Sequence, residues 1–351
     1  MSRRQPTVAV VGVGVLGGRL ARELLSGPAP PVVTLHSSRE DRREALASAL
    51  RDARDAGLVR IRDRSEDVAG SVQVVVLTGD QESQVTQAAS HLEAGRHVVT
   101  TVDGHDPARA LLAMDAIARE AGRSLVVGSC FSPGLSDVLV NWAAKRFDVV
   151  DEVHFARHGA GGPNCARDRL EALRRPAHEW RDGTWLSNRP GSGRELCWFP
   201  DPVGGRDSYL ADTAEPAIAV AAHPELRRSS ARIVMNRRDR LAQYLPLLVP
   251  APAEGGVGAL RVEIRGSIGS SRETRVFGVL DRPATAAAAL TAEVTLHLLT
   301  GSAPSGAIGA GSVMDPSQAL RKCRRRGVRV AELGAAWSDT GEPSRDLAHP
   351  E

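Results

Sequence analysis

The sequence predicts an α/β fold: an N-terminal Rossmann-type doubly wound parallel sheet, a second α/β domain on a mostly antiparallel sheet, and C-terminal helices returning to the first domain. Three observations carry this. Short, fully apolar runs alternate with helical stretches through the first 130 residues, as strands buried on both faces require. A Gly12-x-Gly14-x-x-Gly17 turn joins the first run to the first helix. Beyond residue 130 the pattern becomes strand-rich. The expected divisions are 1–130 for dinucleotide binding, 131–282 for substrate and dimerisation, and 283–330 for the returning helices. The polar tail at 334–351 is expected to be disordered.

The elements follow in order. Residues 7–11 are a continuous β-branched and apolar run, the mark of a buried parallel strand. Residues 19–25 have helical spacing and stop at Gly27-Pro28, and 32–35 form a second strand. Residues 40–56 read as one charged, alanine-rich helix, and 59–61 as a short strand. Strands at 72–77, 97–101 and 124–127 alternate with helices at 82–94 and 107–121. Pro133-Gly134 opens a helix to about residue 147. Strands are expected at 149–157, 232–236, 260–267 and 274–280. Between the first two lies an irregular stretch, 158–208, of a length that usually marks function or insertion. A helix from Pro283 to Leu299, a loop at 301–312 and a basic helix at 316–326 complete the chain.

Composition narrows the function classes. The 351 residues carry 45 Lys+Arg against 42 Asp+Glu, a net charge of +3, so the near-cancelled charge gives no argument for nucleic acid. A 42% hydrophobic and 25% charged content excludes a disordered chain and a membrane bundle. No run approaches the roughly 18–20 apolar residues of a spanning helix, and the first run is too short for a signal-peptide core. Cys130, Cys165, Cys197 and Cys323 are widely separated, which fits reduced thiols, a cytoplasmic location and no metal site.

The glycine turn points to a dinucleotide. The first glycine permits the tight turn, the second lets the backbone approach a pyrophosphate, and the third lets helix and strand pack closely. Gly12, Gly14, Val15, Leu16 and Gly17 are therefore expected at the cofactor, with the pyrophosphate on the helix N-terminus. At the end of the second strand, where an NAD site usually places an acid, the chain has Ser37, Ser38 and Arg39. Two hydroxyls and a guanidinium suit a 2′-phosphate, so the expected cofactor is NADP(H). Thr78, Gly79, Asp80 and Thr101 end later strands and share the edge where ligands bind in open α/β sheets.

At Gly128-Ser-Cys-Phe-Ser-Pro133-Gly134-Leu-Ser136 the chain resembles the saccharopine dehydrogenase-like family. The resemblance implies NAD(P)-linked chemistry at the carbon–nitrogen bond of an amino-acid-derived substrate, in a homodimer. Lys145 and Lys322 are the only lysines, so no lysine stands at the fifth-strand end or within 150–300. Any proton donor must therefore be His, Asp, Tyr or water. His158, before a glycine-rich turn, and Asp103, at a strand end, are the catalytic candidates. Ser129 and Ser132 beside the family-like segment are expected at the substrate, as are Arg206, Asp207 and Tyr209. The last three form a cluster suited to an amino-acid carboxylate. Arg232, Arg237, Arg238 and Arg240 are read mainly as a solvated basic face. Two other readings stand beside the enzyme of C=N chemistry: a non-catalytic NADP(H)-binding sensor or scaffold, and a carbonyl reductase.

Overall fold

The computed structural model describes residues 5–235 and 255–333. The first half folds as the apolar runs predict. Strands β1 (Thr7–Val11), β2 (Val32–Ser37), β3 (Val59–Asp63), β4 (Val74–Leu77), β5 (His97–Thr100) and β6 (Ser124–Val127) pair in the order 6-5-4-1-2-3, all parallel. Their connecting helices are α1 (Val15–Leu25), α2 (Glu40–Ala49), α3 (Arg51–Asp55), α4 (Gln81–Glu93), α5 (His105–Leu112) and α6 (Asp115–Glu120). β1 and β4 are fully or nearly fully buried because helices cover both faces of the sheet. The expected helix at 40–56 breaks into α2 and α3 at Leu50, whose φ of −119° and ψ of 27° leave the helical region. Leu50 is drawn into the core there, while α2 and α3 bury nothing else.

The chain then crosses to a second sheet through α7 (Leu135–Ala144), which follows a cis Ser132–Pro133 bond. β7 (Val149–His158) is a central strand of that sheet. The stretch at 158–208, expected to be irregular, is instead built of α8 (Pro163–Arg174), the hairpin β8 (Ala177–Arg181) and β9 (Thr184–Asn188), and the paired β10 (Glu195–Phe199) and β11 (Gly204–Leu210). These strands carry Arg, Glu, Trp and Gly in place of apolar runs, so their period-2 signal is faint. α9 (Glu215–Ala222) and β12 (Arg228–Val234) follow, then β13 (Gly258–Ile268) and β14 (Ser271–Asp281). β12 pairs in parallel with β7, and the other neighbours in this sheet are antiparallel. Arg237, Arg238, Arg240 and the tail beyond residue 333 lie outside the described residues.

α10 (Pro283–Leu298) returns to the first sheet and packs on α1, where Arg19 Nη1 donates to Thr285 Oγ1 at 2.9 Å. The presumed loop at 301–312 contains β15 (Gly306–Gly309), a seventh parallel strand beside β6. Two glycines and an alanine leave Ile308 as the one strand former here, and the ladder with β6 imposes the conformation. α11 (Pro316–Arg325) leads to β16 (Arg329–Glu332), which closes the edge of the second sheet against β14. One apolar core runs from β1 and α1 through α10 and α7 to β7, β13 and β14, tying the two sheets together.

Candidate functional site

A cleft of about 470 Å³ opens along the carboxyl edge of the parallel sheet. It lies at the switch point between β1 and β4, where connections diverge to opposite sides and leave a crevice. Gly12 has φ of +94°, and a Cβ there would stand 2.8 Å from the Gly79 nitrogen, so only glycine fits. A Cβ on Gly17 would stand 2.9 Å from the Gly12 oxygen. Gly14 is different: nothing lies within 4 Å of its would-be Cβ. It caps α1, and no side chain caps that helix. The first N–H groups of α1 therefore face the cleft without a helical acceptor, where the helix dipole favours an anion. These features fit the pyrophosphate of a dinucleotide.

Sequence-predicted positions meet here. Val15, Leu16, Ser37, Ser38, Arg39, Thr78, Gly79, Asp80, Thr101, Asp103 and Ser132 all line the cleft with the three glycines. Ser37 is buried, and its hydroxyl accepts from the Arg39 backbone N–H at 3.3 Å. The Arg39 guanidinium is exposed and pairs with Asp41, a contact that leaves it free to turn toward the cleft. Arg42 and Arg64, not anticipated, also line this end, and Arg64 lies against Gly79 and Ser83. Asp80 caps α4 by accepting the Ser83 N–H at 2.8 Å.

Four strand steps separate β2 from β6, which places the other end of the cleft about 19 Å away at the usual strand spacing. Its centre is Arg157, 8% exposed. Arg157 Nη1 donates to Asp103 Oδ2 at 3.0 Å and to the Ser132 carbonyl at 2.5 Å, while Nη2 is buried without a partner. Burial works against the charged guanidinium, but the Asp103 and Glu215 carboxylates outweigh it and hold Arg157 above its ordinary range. Glu215 sits behind Ser132, whose hydroxyl donates to Oε1 at 2.6 Å. Gln81 fixes the Asp103 loop by accepting the backbone N–H groups of Asp103 at 3.1 Å and Gly104 at 2.8 Å. Cys130, Cys165 and Asp168 complete this end. Burial pushes both thiols up, so neither is a ready nucleophile. Burial, reinforced by the Asp103 and Glu171 charges, raises Asp168 to about 6.

Other predicted residues lie elsewhere. His158 does not line the cleft, whereas its neighbours Arg157 and Gly159 do, because successive strand side chains point to opposite faces. Val153 and Phe155 belong to the main core and share a face with Arg157; Ala156 and His158 share the other. That alternation was legible in the sequence and marks Arg157 as the inward residue. Ser129 is fully buried and accepts from Thr291 Oγ1 at its carbonyl, at 2.7 Å, anchoring α10. Arg206, Asp207 and Tyr209 lie on β11, off the cleft. Asp207 pairs with exposed Arg194 at 2.9 Å, and Tyr209 packs with Leu173 and Ile233.

A histidine cluster lies off the cleft. His105, fully buried, stacks on His178 with centroids 4.1 Å apart and planes 10° apart, and Trp185 packs edge-on against it. His178 Nδ1 lies 3.0 Å from Asp212 Oδ1, and His105 Nδ1 lies 3.1 Å from Asp106 Oδ1. Near-parallel stacked rings cannot both aim lone pairs at one ion, since a ligated metal lies in each ring plane. The cluster clasps the β8–β9 hairpin to α5.

The fold is a Rossmann-type parallel sheet with a cleft at its carboxyl edge, completed by a second, mostly antiparallel sheet. No family model matches the sequence, and no curated protein does. Among solved structures, the apo saccharopine dehydrogenase (L-Glu forming) from Saccharomyces cerevisiae superposes with a TM-score of 0.67 at 13% identity, covering 94% of this chain and 100% of that one. A probable dehydrogenase from Thermotoga maritima has a TM-score of 0.48 at 11% identity, covering 93% and 98%. The DAP dehydrogenase of C. glutamicum in complex with DAP has 0.45 at 15%, covering 88% and 94%. The likeness to the yeast enzyme is one of fold. No helix among the described residues is long and apolar enough to cross a membrane.

Proposed function

We propose that the chain is an NADP(H)-dependent oxidoreductase acting on the carbon–nitrogen bond of an amino-acid-derived substrate, reducing an imine or oxidising an amine. The observation that carries this reading is the charge distribution along one continuous cleft. Arg39, Arg42 and Arg64 gather at the β2 end, with no acid at the position that would contact a ribose 2′-hydroxyl. Asp103 and Asp168, with Glu215 behind them, outnumber the single guanidinium of Arg157 at the other end. Carbonyl reduction builds negative charge on oxygen and needs cationic or N–H donors aimed at it. An iminium or ammonium is a cation, which an excess of carboxylates stabilises. The fold-sharing yeast protein is named for an amino-acid derivative, which agrees with this reading.

Gly12, Gly14, Gly17 and the α1 N–H groups would hold the pyrophosphate, and Ser37, Ser38 and Arg39 the 2′-phosphate. When bound, the nicotinamide supplies or accepts the hydride. Arg157 holds the Asp103 carboxylate in place, and Ser132 links Arg157 to Glu215. The walls from α8 and α10 narrow the cleft and limit water. The reading extends to a homodimer, which light scattering of the purified protein checks, in the cytoplasm, which cell fractionation checks.

Fluorescence titration with NADPH and NADH tests the cofactor. NADPH should bind more tightly, and Arg39→Ala should weaken it roughly 10- to 100-fold, the worth of a charge-assisted hydrogen bond, with NADH unaffected. Equal affinities would overturn the NADP(H) assignment. Oxidation of NADPH across a panel of amines paired with carbonyl compounds tests the chemistry. Turnover with ketones alone would indicate a carbonyl reductase, and binding without turnover a sensor.

A further inference from the structure

α8 brings Asn164, Cys165 and Asp168 to the cleft together, since positions three and four apart share a helix face. The acids around them differ in one respect. Asp103 is held by Arg157, Glu215 by Ser132, and Asp80 by the first turn of α4. Asp168 lines the same cleft, and its side chain makes no hydrogen bond or ion pair among the described residues. A cleft carboxyl with no structural partner is unexplained by folding.

We propose that Asp168 is the group that exchanges a proton with the substrate nitrogen. This rests on the reading of the cleft as a C=N oxidoreductase site. In the reducing direction the Asp168 O–H bond breaks and an N–H bond forms at the imine nitrogen. This leaves a carboxylate beside an iminium cation. The carbon then takes a hydride from the reduced dinucleotide, and the C=N π pair becomes the nitrogen lone pair. The imine is reduced, the dinucleotide is oxidised, and a proton taken up from bulk solvent restores the Asp168 carboxyl, so each turnover consumes one proton. In the other direction the Asp168 carboxylate accepts the proton.

The surroundings suit this role. Burial and the carboxylates of Asp103 and Glu171 favour the protonated form, and the guanidinium groups of Arg157 and Arg167 pull partly against them. The resulting pKa of about 6 keeps the group exchangeable near neutral pH. The neighbouring Cys165 thiol stays protonated, because burial and Asp103 raise it. Asp103, by contrast, is engaged by the Arg157 guanidinium at 3.0 Å.

Carbodiimide coupling of glycinamide to the full-length protein, followed by peptide mass spectrometry, reads the protonated carboxyl directly. Asp168 should label with a midpoint near pH 6 while Asp103 stays unlabelled. Asp168→Asn should bind NADPH as the parent does. Its kcat/KM in the amine-plus-carbonyl assay should fall about 10²- to 10⁴-fold, the usual worth of a general acid, and lose the limb near pH 6. Asp168→Glu should recover part of the rate. Labelling of Asp103 in preference to Asp168, or an Asp168→Asn enzyme with an unchanged rate and pH profile, overturns the proposal. A parent protein that fails to bind NADPH overturns the function proposed above instead.

Discussion

Arg157 Nη1 lies 3.0 Å from Asp103 Oδ2, and this contact joins the two sheets across the floor of the cleft. Arg157 ends a strand of the second sheet, and Asp103 follows a strand of the first. Side-chain exposures of 9% and 13% place the pair out of bulk solvent, so each charge depends on the other. The Ser132 carbonyl, between a buried hydroxyl and a cis proline, takes a second Arg157 hydrogen bond.

Removing one partner should therefore be costly. Arg157→Met leaves the Asp103 charge buried and unpaired, and should lower stability by about 3–5 kcal/mol in urea unfolding. The double variant Arg157→Met/Asp103→Leu should recover part of that loss. A single variant within about 0.5 kcal/mol of the parent would show that the contact does not hold the sheets.

The glycine turn separates a folding role from a binding role. Gly12→Ala should destabilise the protein and abolish dinucleotide binding, because its Cβ meets the Gly79 backbone and φ is +94°. Gly14→Ala has open space and should melt within a few degrees of the parent. It should nonetheless weaken NADPH binding at least tenfold in a fluorescence titration, since the methyl group occupies the approach to the α1 N–H groups. Unchanged affinity in Gly14→Ala would mean that the phosphates do not sit there.

Buried acids should give the fold an acid-side preference. Asp137, on α7, is raised from 3.8 to about 6 by burial, against the opposing Gly311 N–H and Asn141 contacts. The native state then binds more protons than the unfolded state between about pH 4 and 6, so Asp137 makes stability fall as pH rises through that window. Asp168 contributes with the same sign. Denaturant midpoints measured from pH 4 to 7 should show a shallower slope in Asp137→Asn, and a shallower one still when Asp168→Asn is added.

The hairpin clasp responds to acid in the opposite sense. Burial and the adjacent His178 lower His105 from 6.5 to about 4, with Asp106 partly offsetting them. A depressed folded pKa contributes stability that is complete above about 6.5 and is lost as pH falls toward 4. Hydrogen-exchange protection factors in residues 177–188, corrected for the intrinsic pH dependence of amide exchange, should fall below pH 5. Trp185→Ala removes an aromatic contact of roughly 0.5–1.5 kcal/mol and should accelerate the same segment at pH 7. Protection factors that stay constant with pH would place the anchor elsewhere, for example at the Trp180 Nε1 hydrogen bond to the Leu226 carbonyl.

Much of the cofactor half was legible residue by residue. Apolar runs such as Val74–Leu77, the three glycines, and the Ser37-Ser38-Arg39 turn all obey local rules, so their positions along the sheet edge followed from strand order. The substrate half was less legible. His158 was favoured over Arg157 for its chemistry, although the alternation of β7 turns Arg157 inward. Arg206, Asp207 and Tyr209 look like an anion clamp in sequence, but β11 carries them away from the cleft.

By itself, the sequence determined the α/β class, the glycine turn, and the lack of a lysine for the chemistry, because these depend on local periodicity and residue type. Tertiary structure alone decided which charged groups meet. β15 becomes a strand only through pairing with β6, and α8 forms inside a stretch with weak patterning. Arg157, Asp103 and Asp168 come from three separate elements. Their juxtaposition, which no single segment encodes, holds Arg157 above its ordinary range and raises Asp168 to about 6.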